Sequence, residues 1–99
     1  MAELTTLIYD YVEDVLERRA PHREEHLALI ARWGGDGLLA LAGPLGDPPT
    51  GALFVFEAEL GAVESFVAAD PPFRAGLVTA HRIAPWKLVS QRPLAHQAT

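Results

Sequence analysis

The sequence lacks cysteine, which excludes disulfide bonds, thiolate metal sites and a cysteine nucleophile. It is also poor in basic residues: eight lysines and arginines stand against thirteen acidic residues, a net charge of −5 at pH 7. Nucleic-acid binding needs a concentrated basic surface, so this charge argues against DNA or RNA as a partner. The basic residues cluster partly between Arg18 and Arg32, which leaves room for a pocket that binds a small anion.

Long hydrophobic runs are absent as well. No apolar stretch approaches the roughly 20 residues that span a bilayer, and the N-terminus has no basic signal-peptide region. We therefore expect a cytoplasmic protein without a membrane partner. A chain of 99 residues, 49% of them hydrophobic, predicts a single domain with one core. We assign residues 1–89 to this domain and residues 90–99 to a polar C-terminal tail.

The pattern of apolar residues predicts six main elements. Four apolar segments, bounded by turn residues or by a helix, predict strands: 4–12, 38–42, 52–58 and 77–89. Helical spacing covers 15–34 and 60–69, and Pro21 either begins or kinks the second part of the first helix. The glycine- and proline-rich segment 43–51 predicts a loop, and Pro85 predicts a break in an edge strand.

The order strand, helix, strand, strand, helix, strand predicts an α+β fold of the ferredoxin-like βαββαβ type. Such a fold has a four-stranded antiparallel sheet with two helices on one face. We expect Phe54 and Phe56 to leave apolar surface on the other face. A bare apolar face needs cover in water, so the sequence predicts a homodimer of the dimeric α+β barrel type.

Two polar residues fall on the apolar side of the first long helix. On an ideal helix over 21–33, the apolar arc holds Leu27, Ile30, Ala31 and Trp33. Arg23 falls near the centre of this arc and His26 on its flank, where a guanidinium needs an anion and an imidazole needs a partner. Arginine can also extend its charge to water, and an inward histidine is often a satisfied core residue. Two such groups one turn apart favour a shared cavity.

His22 and His26 also match the His-x-x-Glu-His pattern of some zinc peptidases. That pattern is short, its Glu25 projects from the solvent side of the helix, and no third ligand from a distant helix is evident. We therefore reject the zinc site and interpret these residues as a charged first helical turn. We therefore expect neither a metal nor another cofactor.

Other polar positions leave two interpretations open. Asp70 ends the second helix before Pro71, where a carboxylate opposes the helix dipole unless a cation or imidazole compensates it. Gly43 and Pro44 form either a simple turn or a close backbone approach to a ligand. His81 is either a functional residue or an ordinary histidine on a strand surface, and His96 in the tail is given no role.

Taken together, these segments resemble the YciI-like (YCII-related) family of small dimeric ferredoxin-like proteins. The resemblance rests on Arg18, Arg23-Glu24-Glu25-His26-Leu27, Leu39-Ala40-Leu41-Ala42-Gly43-Pro44, Ala69-Asp70-Pro71, Ala75-Gly76-Leu77 and Ile83-Ala84-Pro85-Trp86. It implies that His26 and Asp70 form a paired active site in a small-molecule pocket of each subunit. Some members are linked to aromatic-ring degradation, including dehydrochlorination. The sequence departs from the family where Pro72 precedes Phe73, so we expect a different pocket wall there.

A His–Asp pair has a clear chemical meaning. A carboxylate that accepts the Nδ1 hydrogen fixes the tautomer and leaves Nε2 as a general base. Arg23, together with Arg18, would hold a substrate carboxylate or enolate oxygen, and Gly43 and Pro44 would line the substrate pocket. The first hypothesis is a lyase or isomerase acting on a small anionic or aromatic substrate. The alternatives are a non-catalytic dimeric ligand-binding module and a cofactor-free monooxygenase.

Overall fold

A computed structural model describes residues 4–95 of the chain. The four strands are β1 (Leu4–Tyr11), β2 (Leu39–Leu45), β3 (Gly51–Phe56) and β4 (Val78–Trp86). The helices are α1 (Val15–Arg18), α2 (Arg23–Gly35), α3 (Leu60–Ala69) and α4 (Pro71–Arg74), with a 3₁₀ turn over Ala20–His22. This order confirms the predicted α+β, ferredoxin-like plan. The short helix α4 was not predicted.

The strands form one antiparallel sheet in the order β2-β3-β1-β4. Leu7 in β1 lies opposite Phe54 in β3 and opposite Ile83 in β4. Since paired residues point to the same side of a sheet, this register fixes two faces along all four strands. The central strands β1 and β3 carry most of the buried residues, and β2 and β4 form the edges.

One face of the sheet packs on the helices and forms the core. Its members are Leu7, Tyr9, Leu39, Ala52, Phe54 and Phe56 from the sheet, joined by Leu29, Val63, Phe66 and Val67 from α2 and α3. The prediction that Phe54 and Phe56 face away from the helices is therefore wrong. The alternation of β3 turns both rings inward and places Leu53 and Val55 on the open face instead.

Helix α2 is rotated relative to the predicted arc. His26 and Leu29 are its buried residues, and Leu27, predicted near the middle of the apolar side, is 45% exposed. Leu27 lies beside a cavity between α2 and the sheet rather than over packed core, which explains its exposure. The prediction that α2 turns apolar side chains inward holds for Ile30 and Trp33, both half-buried against the core.

The prolines of the chain occupy positions that tolerate a missing backbone N–H. Pro21 lies in the 3₁₀ turn that separates α1 from α2, so it begins the second helical segment rather than kinking one long helix. Strand β2 continues through Gly43 and Pro44, which the sequence assigned to a loop, and β4 runs through Pro85 without a break. Both are edge strands, where a proline removes no essential ladder bond.

The C-terminal part of the described chain, residues 87–95, has no helix or strand. His96 lies outside the described residues, and the division into residues 1–89 and 90–99 stays a prediction. Within residues 4–95, no helix has the length and apolar character needed to cross a membrane. The cytoplasmic location also stays a prediction.

Candidate functional site

Asp70 lies at the junction of two helices. It ends α3 with extended backbone angles (φ −76°, ψ 119°), and Pro71 begins α4 directly after it. A residue before proline avoids helical angles, so the sequence itself forces the chain to turn here. The turn directs the carboxylate inward, and Asp70 is 0% exposed.

Two hydrogen bonds occupy the Asp70 carboxylate. Nδ1 of His26 lies 2.5 Å from Oδ1, and the Tyr9 hydroxyl donates to Oδ2 across 2.8 Å. The network therefore joins strand β1, helix α2 and the α3–α4 junction. Because both carboxylate oxygens accept a hydrogen bond, Asp70 is placed to orient His26 rather than to contact a substrate itself.

Burial and the Asp70 charge govern the two tyrosines of the site. Burial is the larger cause that raises the pKa of Tyr9 far above its usual range, and the Asp70 carboxylate adds to it. Burial and Asp70 also raise the pKa of Tyr11 to about 12, although Arg23 and Arg19 act in the opposite direction. Both phenols are therefore neutral hydrogen-bond donors at neutral pH.

One ring nitrogen of His26 is hydrogen-bonded to Asp70, and the other has no partner among residues 4–95. Nδ1 donates its hydrogen to Asp70, which leaves Nε2 with a lone pair. Nε2 has no hydrogen-bond partner among residues 4–95. Every fully buried side-chain nitrogen or oxygen in that range does have a partner. Nε2 must therefore reach accessible space, although the His26 side chain as a whole is nearly buried.

A cavity of about 170 Å³ lies between α2 and the strands β2 and β3. A recess of about 10 Å³ lies beside it, walled by Val15 and Pro72. Tyr11, Arg19, Arg23 and His26 line both spaces. The His26 side chain thus borders both the recess and the cavity, together with the two arginines.

Most of the predicted site residues come together here. His26 and Asp70 are hydrogen-bonded, and Arg23, Gly43 and Pro44 line the cavity beside them. Arg18 is not part of the cavity: its guanidinium lies 3.6 Å from the Asp14 carboxylate, and both side chains are about half exposed. Its neighbour Arg19 lines the cavity instead, because the α1 turn directs residue 19 rather than 18 inward.

Tyr9, Tyr11 and Arg19 are site residues that the sequence reasoning missed. A signal for Tyr9 was present, since it alternates with Leu7 and Thr5 on the inward face of β1 and a buried phenol needs a partner. Nothing in the sequence separates Arg19 from Arg18.

The remaining candidates lie elsewhere. His81 is exposed on β4 and makes an edge contact with Phe73, which does not line the cavity or the recess. Pro72, rather than Phe73, walls the recess. In the stretch from residue 4 to residue 95, no group of three histidine, aspartate or glutamate side chains is arranged to hold a metal ion.

A family model, the YCII-related domain, matches residues 4–87. No relative is found among the curated proteins.

Solved structures share the fold. The chain is similar to 5-chloro-2-hydroxyhydroquinone dehydrochlorinase (TftG) from Burkholderia phenoliruptrix, solved in complex with 2,5-dihydroxybenzoquinone: TM-score 0.72, 27% identity, coverage 85% of this chain and 93% of that one. A NIPSNAP family protein from Agrobacterium tumefaciens gives a TM-score of 0.59 at 17% identity, with coverage of 93% and 97%. A dimeric ferredoxin-like protein from an uncultured marine organism gives 0.56 at 17% identity, with coverage of 95% and 93%.

Proposed function

Because this chain belongs to the YCII-related family, we propose that it is a small-molecule enzyme of the lyase or isomerase type. In this proposal, His26 is the general acid and base and the substrate is a small anionic or aromatic molecule. The observation that carries the proposal is the buried His26–Asp70 pair, whose remaining nitrogen reaches the cavity. The similarity to TftG, a dehydrochlorinase, supports this reaction class.

The geometry suits a proton transfer. Nε2 of His26 accepts a proton from a substrate carbon or hydroxyl, and the Asp70 carboxylate stabilises the imidazolium that forms. The same nitrogen then returns the proton, either to another substrate atom in an isomerisation or to a leaving group in an elimination. A positioned base of this kind contributes about 10²–10⁴-fold to the rate. Arg23 is proposed to bind the substrate anion, with Gly43 and Pro44 as part of the wall.

Removing the base without unfolding the protein tests the proposal. The wild type, His26→Gln and Asp70→Asn are incubated in D₂O with a panel of hydroxylated and carboxylated ring compounds, and deuterium uptake and product formation are followed by NMR. We expect turnover by the wild type and a loss of at least about 10²-fold in both variants. Glu24→Gln, on the exposed side of α2, is the matched control and retains turnover.

Two outcomes of this experiment contradict the proposal. Turnover that persists in folded His26→Gln shows that another group is the base. Binding of ring compounds without turnover, with the same affinity in Asp70→Asn as in the wild type, instead assigns a non-catalytic ligand-binding module. Circular dichroism establishes that each variant is folded before its activity is compared.

We also propose that the chain functions as a homodimer. The face of the sheet opposite the helices carries Ile8, Leu41, Leu53 and Trp86, and the helices pack on the other side. Leu41 and Trp86 are each about half exposed. An apolar face of this kind is the expected site of association between two copies. The dimeric ferredoxin-like protein of the same fold supports this arrangement.

A further inference from the structure

Two arginines at the cavity have no acidic partner. The ion pairs formed among residues 4–95 are Arg18 with Asp14 and His26 with Asp70. Arg19 and Arg23 belong to neither, although both are half-buried and both line the cavity. A guanidinium that is partly removed from water favours a bound anion. Since residues 4–95 supply none, this place suits the anionic group of a ligand.

The charges of both arginines act on Tyr11. Each lowers the pKa of Tyr11, so both guanidinium charges lie near its ring. The Tyr11 hydroxyl makes no hydrogen bond to the described residues, whereas the Tyr9 hydroxyl and Nδ1 of His26 are both paired with Asp70. Arg23 also begins α2, a helix of 13 residues whose N-terminal dipole is positive. The part of the cavity next to the recess is thus cationic in a chain whose net charge is −5.

The other end of the cavity is apolar. Leu27, Ile30 and Phe54 line it. Its volume of about 170 Å³ is close to the roughly 150 Å³ of an engineered cavity, lined by similar residues, that binds benzene. The space therefore fits one six-membered ring.

We propose that the cavity selects a single six-membered ring with a carboxylate or ionised oxygen at one edge. Arg19 and Arg23 hold this anion with a hydrogen bond from Tyr11, and the ring lies against Leu27, Ile30 and Phe54. Arg19 is then a specificity-determining residue that no motif assigned. This inference rests on the proposed function only in placing the ring beside Nε2 of His26, where a proton would be transferred.

Binding of simple probes tests the proposal without requiring turnover. Calorimetric titrations compare benzoate, its neutral isostere benzamide, the ringless anion acetate and the two-ring anion 2-naphthoate. We expect benzoate to bind at least about tenfold more tightly than benzamide, because a hydrogen bond to a charged group is worth more than one to a neutral group. Acetate and 2-naphthoate bind more weakly than benzoate, the first for lack of apolar contact and the second for lack of space.

Neighbouring arginines provide a matched control. Arg19→Gln and Arg23→Gln should each weaken benzoate binding about tenfold and reduce its advantage over benzamide. Arg18→Gln removes the same charge one residue away, outside the cavity, and should change benzoate affinity by less than about twofold. Equal effects of Arg18→Gln and Arg19→Gln, or equal affinities for benzoate and benzamide, overturn the inference.

The two proposals can fail separately. Arginine-dependent binding of benzoate without turnover of any ring compound supports the ligand class and contradicts the proposed catalysis. Turnover that depends on His26 but is affected equally by Arg18→Gln and Arg19→Gln supports the catalysis and overturns the ligand class.

Discussion

The Asp70 carboxylate is held from two directions by Tyr9 and His26, and it has no contact with solvent. A buried carboxylate is stable only when its lone pairs are matched by donors. The Tyr9 hydroxyl is therefore a structural requirement of the pair as well as a positioning group for His26.

Tyr9→Phe should destabilise the fold because it leaves Oδ2 of Asp70 buried without a donor. We expect a loss of about 1–3 kcal/mol in the free energy of unfolding, measured by urea denaturation. Tyr11→Phe is the matched control, since its hydroxyl has no partner among residues 4–95, and it should lose less. An equal loss in both variants would show that the Tyr9 hydrogen bond does not stabilise the protein.

Alkaline pH should destabilise the protein through the same tyrosines. Their pKa values are raised in the folded state, that of Tyr11 to about 12 from an ordinary 10.0. Above pH 10 the unfolded chain has released protons that the folded chain keeps, so the stabilisation is complete below pH 10 and is lost as pH rises toward 12.

Urea unfolding at several values between about pH 8 and about pH 11 measures this loss. The sequence has two tyrosines, so the phenolate absorbance of the folded protein reports on these two side chains alone. The double variant Tyr9→Phe/Tyr11→Phe should flatten the decline. A decline of the same slope in the double variant would trace the effect to other groups.

Residue-scale prediction from the sequence succeeded where a polar group interrupts an apolar pattern. His26 is such a residue, and the structure buries it in contact with Asp70. The pairing with Asp70 came only from the family resemblance, because no local pattern links residues 44 positions apart. Arg18 and Arg19 are chemically identical neighbours, so only the orientation of α1 distinguishes them.

At the scale of elements, the close approach of β1 and β3 depends on Gly51. A Cβ atom at this position would overlap the carbonyl oxygen of Tyr9, which lies in the paired strand. Glycine is therefore required where β3 begins, next to the residue that donates to Asp70.

Gly51→Ala should lower the free energy of unfolding by about 1–3 kcal/mol, as expected for overpacking. It should also shift the His26 ring signals in NMR spectra, because Tyr9 moves with its strand. Gly43→Ala is the control, since no heavy atom outside the adjacent residues lies within 4 Å of its added Cβ. Unchanged stability and spectra in Gly51→Ala would refute this close packing.

The sequence predicted the type and order of the main elements but not all of their ends. Helix α3 matches its predicted bounds because Asp70-Pro71 terminates it locally. Strand β2 extends past its predicted end because pairing with β3, a tertiary contact, overrides the turn preference of Gly43-Pro44. The rotation of α2 likewise depends on the cavity beneath Leu27, which no helical periodicity reveals.

For the whole molecule, the uncovered sheet face determines the expected association. Leu41→Glu should convert the proposed homodimer to a monomer, because burying a carboxylate in an apolar interface is unfavourable. Leu60→Glu is the matched control: both leucines are 50% exposed, but Leu60 begins α3 on the helical side. Sedimentation equilibrium measures the mass of each variant. A monomeric wild type, or a dimeric Leu41→Glu, would contradict the proposed interface.

The fold plan predicted that the sheet face opposite the helices needs to be covered by a second copy. It did not identify which residues form that face. The sequence placed Phe54 and Phe56 on the open face, whereas the register places Leu53 and Val55 on that side, and Val55 is already buried in the single chain. A shift of one residue exchanges the two faces of a strand, so a short continuous apolar run such as β3 does not specify its own orientation.

Both oxygens of the buried Asp70 carboxylate are paired, with Tyr9 and His26, whereas Arg19 and Arg23 have no acidic partner among residues 4–95. Mutations of Arg19 or Arg23 therefore leave the buried donors and acceptors matched, and they change only which ligand the cavity binds. Under the proposed function, such a division would let substitutions change the bound substrate while the proposed proton-transferring group stays the same. For protein engineering, it marks Arg19, Arg23 and Leu27 as the positions to randomise first.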